Sequence, residues 1–249
     1  MITTNRLRRW SSVKAYRVGC RVLFLCAGLS MAVMVSAGDY SNRGAVQQVI
    51  AAAQEAGVDP DWVQQLIDAA ERQQSILDAI SRPAEKTKAW YEYRKIFLTD
   101  RRIHEGVTFW SAHAGTLQTV SASTGVPAEV VVAIIGVETY YGRITGSYRV
   151  IDALATLAFD YPRRSLFFTG ELQQFLVLAW ESGKDPLVLK GSYAGAMGYG
   201  QFMPSSYRAY ARSYKGDGAP DIWDNPADAI ASVANYLQAH GWRGGEQVV

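Results

Sequence analysis

Cysteine is nearly absent: Cys20 and Cys26 are the only two in 249 residues, and both fall within the first 37. Beyond that stretch the chain can build neither a disulfide nor a thiolate metal site. Histidine is scarce too. His104, His113 and His240 are widely separated and form no HExxH pair, so a zinc hydrolase has no ligand set here. An excess of one charge is also missing: 25 Lys+Arg against 23 Asp+Glu leave a formal net of +2, far from the basic surplus of a nucleic-acid binder. There is no Walker lysine. Gly195, Gly198 and Gly200 spell G-x-x-G-x-G, the reverse of a dinucleotide fingerprint, with no strand before it. Ser192, in Gly191-Ser192-Tyr193-Ala194-Gly195, stands one position early for the serine-hydrolase elbow, which excludes a triad built on it. No cofactor is expected.

Acidic residues are missing from the first 37 positions, which hold Arg6, Arg8, Arg9, Lys14, Arg17 and Arg21 and then the apolar run Val22 to Val35. A basic segment followed by a short apolar run and small residues is the anatomy of a secretory signal peptide, here residues 1–37 with cleavage after Ala37. The alternatives are an uncleaved membrane anchor, although the run is shorter than the roughly 20 residues of a span, and a cytosolic helix. Six of the 25 basic residues belong to this leader, so residues 38–249 carry 19 Lys+Arg against 23 Asp+Glu, a formal charge of −4. A lipoprotein signal is not expected, since Cys26 follows Leu25 rather than a small residue and Cys20 precedes the apolar run.

Alternating strand patterns are few, and the remainder reads as all-α. Val46, Val49, Ile50 and Ala53 recur at helical spacing, with Gly57 placed to end the helix. Asp59-Pro60 restarts one, the carboxylate capping free amides and the proline taking the first helical position. Ser81 to Thr99 is more polar, contains Pro83, and reads as a surface connection. Helical periodicity resumes from Glu105 to Thr124. Val126-Pro127 then opens the most apolar helix, to about Tyr140, whose apolar residues wrap nearly all round and predict a buried core element. Helices follow over Asp152–Phe159 and Ser165–Trp180, then a glycine-dense loop from Ser182 to about Pro204, and a last helix from about Ala227 to Ala239.

Glu138 ends the apolar helix. A carboxyl against a core wall is short of hydration, which raises its pKa toward that of a general acid, and the helix C-terminus works in the same direction. The competing reading is a glutamate at a helix end that points into water. Around it in sequence lie groups suited to sugars: Tyr140, Tyr141, Tyr148, Tyr193, Tyr199, Phe202, Tyr207 and Tyr236, with Gln201, Ser192 and Asn235 as hydrogen-bonding partners. Any one of these rings could equally be core. The glycines between Gly191 and Gly200 serve either turns of positive φ or a backbone lying against a ligand.

Several long words occur in order: Gly136-Val137-Glu138-Thr139, Tyr141-Gly142-Arg143, Asp152-Ala153-Leu154-Ala155-Thr156-Leu157, Tyr161-Pro162-Arg163-Arg164, the run Gly191 to Tyr207, and Ala231 to Leu237 followed by His240-Gly241-Trp242. From about Trp90 onward the chain resembles the lytic murein transglycosylases of the membrane-bound type B family. The resemblance implies a lysozyme-like helical catalytic domain with an additional helical lobe. It also implies cleavage of the β-1,4 bond between N-acetylmuramic acid and N-acetylglucosamine in peptidoglycan, leaving a 1,6-anhydro end. Glu138 matches the family's sole catalytic acid/base, with the substrate's N-acetyl group and C6 hydroxyl supplying what a second carboxylate does in ordinary glycosidases. Ser192 and Gln201 match positions that contact the carboxyl and the sugar, and Tyr236 and Phe202 match cleft aromatics. Tyr93 resembles a cleft tyrosine of the other lobe, and Arg163 and Arg164 match partners for stem-peptide carboxylates.

The same resemblance implies a periplasmic, membrane-associated monomer whose partners are peptidoglycan glycan strands and cell-wall synthesis proteins. Two departures stand out. Some members carry an EF-hand-like calcium loop where this chain has Ser213 to Asp224, with serine at the first ligand position and Lys215 at the third, so weak or absent calcium binding is expected even though Asp217, Asp221, Asp224 and Asp228 are nearby. The family also runs on past His240-Gly241-Trp242, whereas this chain stops at Val249, so the domain of residues 38–249 is expected to lack the family's C-terminal part. A non-catalytic wall-binding or scaffold protein and a hydrolytic lysozyme are the competing functions.

Overall fold

The computed structural model describes residues 39–41, 44–82 and 89–246; the expected leader lies outside them. Among the described residues the fold is all-α apart from one two-residue strand pair, as the punctuation predicts. The first helices are α1 (Gly44–Glu55), α2 (Pro60–Ala69) and α3 (Gln74–Ser81). Asp59 caps α2 as expected, its carboxylate accepting from the amides of Asp61 at 2.8 Å and Trp62 at 3.2 Å.

Where a surface connection is expected, the chain forms α4 (Trp90–Phe97), a helix with no buried residue. The helix expected over 105–124 is two, α5 (Asp100–Ala112) and α6 (Ala114–Thr124), broken at His113. Gly125, left-handed at φ +71°, ends α6, and α7 (Ala128–Thr139) begins after Pro127.

Strand β1 (Tyr148–Arg149) leads directly into α8 (Val150–Asp160), whose residues Val150 to Ala158 are all buried. A helix buried on every side is the core, and α9 (Ser165–Ser182), reached through the 3-10 turn Pro162–Arg164, packs along it. Polar groups inside this core are paired. Asp152 takes two hydrogen bonds from Arg149, at 2.6 and 2.8 Å, and one from the amide of Glu71 at 2.9 Å, which ties the α2–α3 connection to α8.

Strand β2 (Lys190–Gly191) pairs antiparallel with β1, Tyr148 opposite Gly191 and Arg149 opposite Lys190. Two further helices, α10 (Pro204–Tyr210) and α11 (Pro226–Ala239), complete the described chain. Buried Glu171 of α9 fixes the start of α10: its carboxylate accepts from the Ser205 amide at 2.9 Å and the Ser205 hydroxyl at 2.7 Å. The carboxylate at a helix N-terminus is stabilised by the free amides there, and it pins the segment just after Gln201-Phe202-Met203.

Candidate active site

The sequence predicts α7 as apolar all round, yet Ala133, Val137 and Glu138 are exposed, while Val131, Val132, Ile135 and Gly136 are buried. The helix therefore forms a wall of the core with one side open, and Glu138 stands on the open side. Its end is held by an unusual turn. Tyr140, Tyr141 and Gly142 are left-handed in succession, at φ +53°, +61° and +84°. For two tyrosines this is a strained arrangement that the surroundings must compensate.

Tyr141 supplies that compensation. Its hydroxyl donates to the Arg102 carbonyl at 3.0 Å, and its ring fills the space left by two glycines: a Cβ on Gly136 would lie 2.7 Å from the ring and one on Gly106 2.5 Å from the hydroxyl. Arg102 donates to the Gly136 carbonyl at 2.6 Å and stacks over Tyr140 at 4.6 Å. Behind Tyr140, Glu105 is held down to about 2, first by the Tyr140 hydroxyl and then by Arg143 and Arg101. The Thr139 hydroxyl joins α7 to the glycine-rich loop, donating to the Tyr199 carbonyl at 2.8 Å and accepting from the Gly142 amide at 3.0 Å.

That loop is a hairpin closed by reciprocal bonds of 2.9 Å between Met197 and Phe202. Gly198 makes its turn at φ +67°, and Gly200 admits α11, since a Cβ there would lie 2.7 Å from Val233. The glycines thus serve turns and close packing within the protein, and Gly200 also reaches the cavity. Gln201 is left-handed as well, at φ +51°, and its side-chain amide donates to the carbonyls of Thr145 at 3.2 Å and Gly198 at 3.0 Å. Both donors are committed to the protein, which leaves Oε1 as an oriented acceptor.

These elements enclose a cavity of about 390 Å3 lined by Ile134 and Glu138 of α7, the loop from Gly200 to Met203, Ser206 of α10, and Val233, Tyr236 and Leu237 of α11. Tyr236 meets Phe202 edge-on, with centroids 5.8 Å apart, and stacks on His240 at 4.0 Å. Burial raises the Glu138 carboxyl above its ordinary 4.5. The residue is exposed, and it shares the cavity lining with apolar Ile134, Phe202 and Leu237, surroundings that favour the neutral carboxyl. Glu138 is the only acidic residue in this lining.

Of the residues proposed from sequence, Glu138, Gln201, Phe202 and Tyr236 come together. Ser192 does not line this cavity; its hydroxyl accepts from the amides of Ala194 at 3.2 Å and Ala196 at 3.1 Å within a tight turn. Tyr93 lies on α4 against Phe97, and Arg163 and Arg164 are exposed on the 3-10 turn, with Arg164 over Phe167 at 4.3 Å. Ile134, Met203, Ser206, Val233 and Leu237 line the cavity without having stood out in the sequence. The i, i+4 relation of Ile134 to Glu138 and of Val233 to Leu237 was the available signal.

At the loop 213–224 several acidic side chains are engaged by the protein itself. Both oxygens of Asp228 accept backbone amides, from Tyr214 and Asp221 at 2.8 Å, and Asp221 pairs with Lys184 at 3.5 Å while accepting from the amides of Trp223 and Asp224. Asp217 accepts from the Ser213 hydroxyl at 3.0 Å, and Lys215 adds a positive charge. Asp228 is thus fully taken up by backbone amides, and Asp221 and Asp217 each have one oxygen engaged by the protein's own donors.

A helical core with one carboxyl in a half-apolar cavity rimmed by an aromatic ring and an amide defines the lysozyme-like class of fold and site. Residues 41–249 match the model of the Transglycosylase SLT domain, and the chain belongs to that family. It is 47% identical over 226 residues to membrane-bound lytic murein transglycosylase B of Escherichia coli K12, which covers 87% of this chain and 62% of the relative. The chain thus spans less than two thirds of that protein's length. It is also similar to the catenated lytic transglycosylase SltB1 of Pseudomonas aeruginosa, with a TM-score of 0.82 and 55% identity over 84% of this chain and 69% of that one. The lytic transglycosylase Slt35 of E. coli, solved with bulgecin A and with calcium, gives a TM-score of 0.79 and 48% identity over 85% of this chain and 68% of its own.

Proposed function

We propose that the chain is a peptidoglycan lytic transglycosylase in which Glu138 is the single acid/base. The observation that carries this reading is that Glu138 is the sole acidic group lining the cavity and has its pKa raised by the apolar wall beside it. A protonated carboxyl can give its proton to the glycosidic oxygen between N-acetylmuramic acid and N-acetylglucosamine as the bond to C1 breaks. The ionised carboxylate then takes the proton of the muramic acid C6 hydroxyl as that oxygen bonds to C1, closing a 1,6-anhydro ring and restoring the acid. The substrate's acetamido group supports C1 in between, so no second carboxylate is required. Tyr236 and Phe202 supply the aromatic surface and Gln201 Oε1 an acceptor for sugar hydroxyl or amide groups.

Ser192, Tyr93, Arg163 and Arg164 belong to this proposal as contacts made outside the Glu138 cavity, the two arginines with stem-peptide carboxylates. Residues 1–37 are proposed as an export leader, residues 38–249 as the transglycosylase domain, and the periplasm, in association with the membrane, as the site of action. Glycan strands and cell-wall synthesis proteins are the proposed partners of a monomer. The test is release of soluble muropeptides from purified sacculi by the chain and by Glu138→Gln. Release by the first alone supports the reading; equal release by both, or binding without release, refutes it.

A further inference from the structure

A second trough lies away from Glu138, between α2 and the end of α9. Its volume is about 700 Å3, within the range of small-ligand sites, and it shares no lining residue with the Glu138 cavity. Leu66 and Ala179, both buried, form its floor. Trp62 of α2 and Trp180 of α9 meet there edge to face, with centroids 5.2 Å apart and planes at 63°, and the loop Gly183 to Leu187 forms the opposite side. Trp180 is 42% exposed, which leaves much of a large ring facing water at a cost that core packing does not require.

The polar groups around these rings narrow the ligand. Gln65, three residues after Trp62 on α2, is exposed at the trough's edge. Asp185 accepts from the Leu187 amide at 2.9 Å with one oxygen and keeps the other as an acceptor. Lys184 also lines the trough, but its ammonium is paired with Asp221 at 3.5 Å and held over Trp223 at 5.5 Å, so no unpaired cation awaits a phosphate or carboxylate. Flat aromatic surface with an amide and a carboxylate acceptor at its edge complements a pyranose, whose C–H face is apolar and whose rim carries hydroxyl and acetamido groups. Neither a pair of acids nor an activated nucleophile is present, so the trough binds and does not react.

We infer that the Trp62–Trp180 trough is a second glycan-binding site, which holds an N-acetylated β-1,4-linked strand away from the point of cleavage. The inference takes its ligand class from the proposed activity but stands on separate residues. No tryptophan lines the Glu138 cavity, whereas Trp62 and Trp180 line the trough, and the Trp180 and Gln65 variants assign the emission change to it.

The experiment titrates the full chain carrying Glu138→Gln with a hexamer of N-acetylglucosamine, following tryptophan emission, and repeats it with Trp180→Ala, Trp180→Phe and Gln65→Ala added. The expected result is a saturable emission change that weakens at least fivefold with Trp180→Ala and with Gln65→Ala, while Trp180→Phe keeps most of the affinity. Gln65 is exposed, so its variant tests the site even if Trp180→Ala unfolds. No emission change, unchanged affinity in the Gln65 and folded Trp180 variants, or a response to free stem peptide instead of the hexamer overturns the inference. Glu138-dependent cleavage with no hexamer response refutes the trough alone, and a hexamer response without cleavage refutes the proposed activity alone.

Discussion

Substitution of Gly136 by alanine tests whether the Tyr141 wedge sets the end of α7. An added methyl would lie 2.7 and 2.8 Å from two ring carbons of Tyr141 and 2.8 Å from its hydroxyl. The ring has little room to retreat, because its hydroxyl is bonded to Arg102, Phe109 stands with its centroid 5.7 Å away, and α5 approaches at Gly106. Overpacking of this kind costs about 1–3 kcal/mol, against a helix-propensity gain of roughly 1 kcal/mol for Gly→Ala. The net expectation is a loss of up to about 2 kcal/mol, or up to roughly 8 °C in Tm for a domain of this size. Gly170 is the internal control: it is also within a helix, but nothing lies within 4 Å of its added Cβ, so Gly170→Ala should stabilise by up to about 1 kcal/mol. Urea titration followed by tryptophan emission measures both. Because the displaced ring belongs to the turn that follows Glu138, Gly136→Ala should also slow muropeptide release by more than tenfold (~10²-fold for a misplacement near 1 Å) in chain that is still folded. If the two alanine variants shift stability in the same direction, or if Gly136→Ala is as active as the parent, the wedge does not position the site.

Glu138→Gln should stabilise the chain at neutral pH while abolishing its activity. The folded carboxyl titrates above its unfolded value, so its contribution is fully present below about pH 4.5 and lost as pH rises through the folded pKa, a loss that glutamine does not suffer. Melting curves from pH 4 to 8 should show the variant's advantage appearing only on the alkaline side. Calcium should leave Tm unchanged relative to EDTA, because Lys215 brings a positive charge into the 213–224 loop and backbone amides occupy both oxygens of Asp228; a rise in Tm with millimolar calcium would contradict this. Glu171→Ala removes both bonds to Ser205 and should cost about 3–6 kcal/mol in urea unfolding, two charge-assisted bonds being lost. A loss below about 0.5 kcal/mol would show that the start of α10 does not depend on it.

Local signals in the sequence located the elements they govern. Asp59-Pro60 opens α2 through a cap visible in two residues, and the apolar density of 128–139 marks α7. The break at His113 carries no glycine or proline, so helical periodicity on either side conceals it. The exposed helix α4 was hidden because no apolar face is drawn to a core there. Within the site, Glu138, Gln201, Phe202 and Tyr236 were legible as members of recurring words. Composition could not sort the remaining aromatics: Tyr141 is a wedge, buried Tyr207 donates to the Pro220 carbonyl at 2.6 Å, and Tyr199 packs where a Cβ on Gly142 would fall. These roles depend on long-range packing, as does the placement of Val233 and Leu237 opposite Glu138.

We propose that one carboxyl cuts the glycan without consuming water. The most direct test is mass spectrometry of muropeptides released from sacculi in water enriched in 18O. Products ending in 1,6-anhydromuramic acid, with no 18O incorporated and none formed by Glu138→Gln, are the predicted result; reducing ends that carry one 18O would contradict the account.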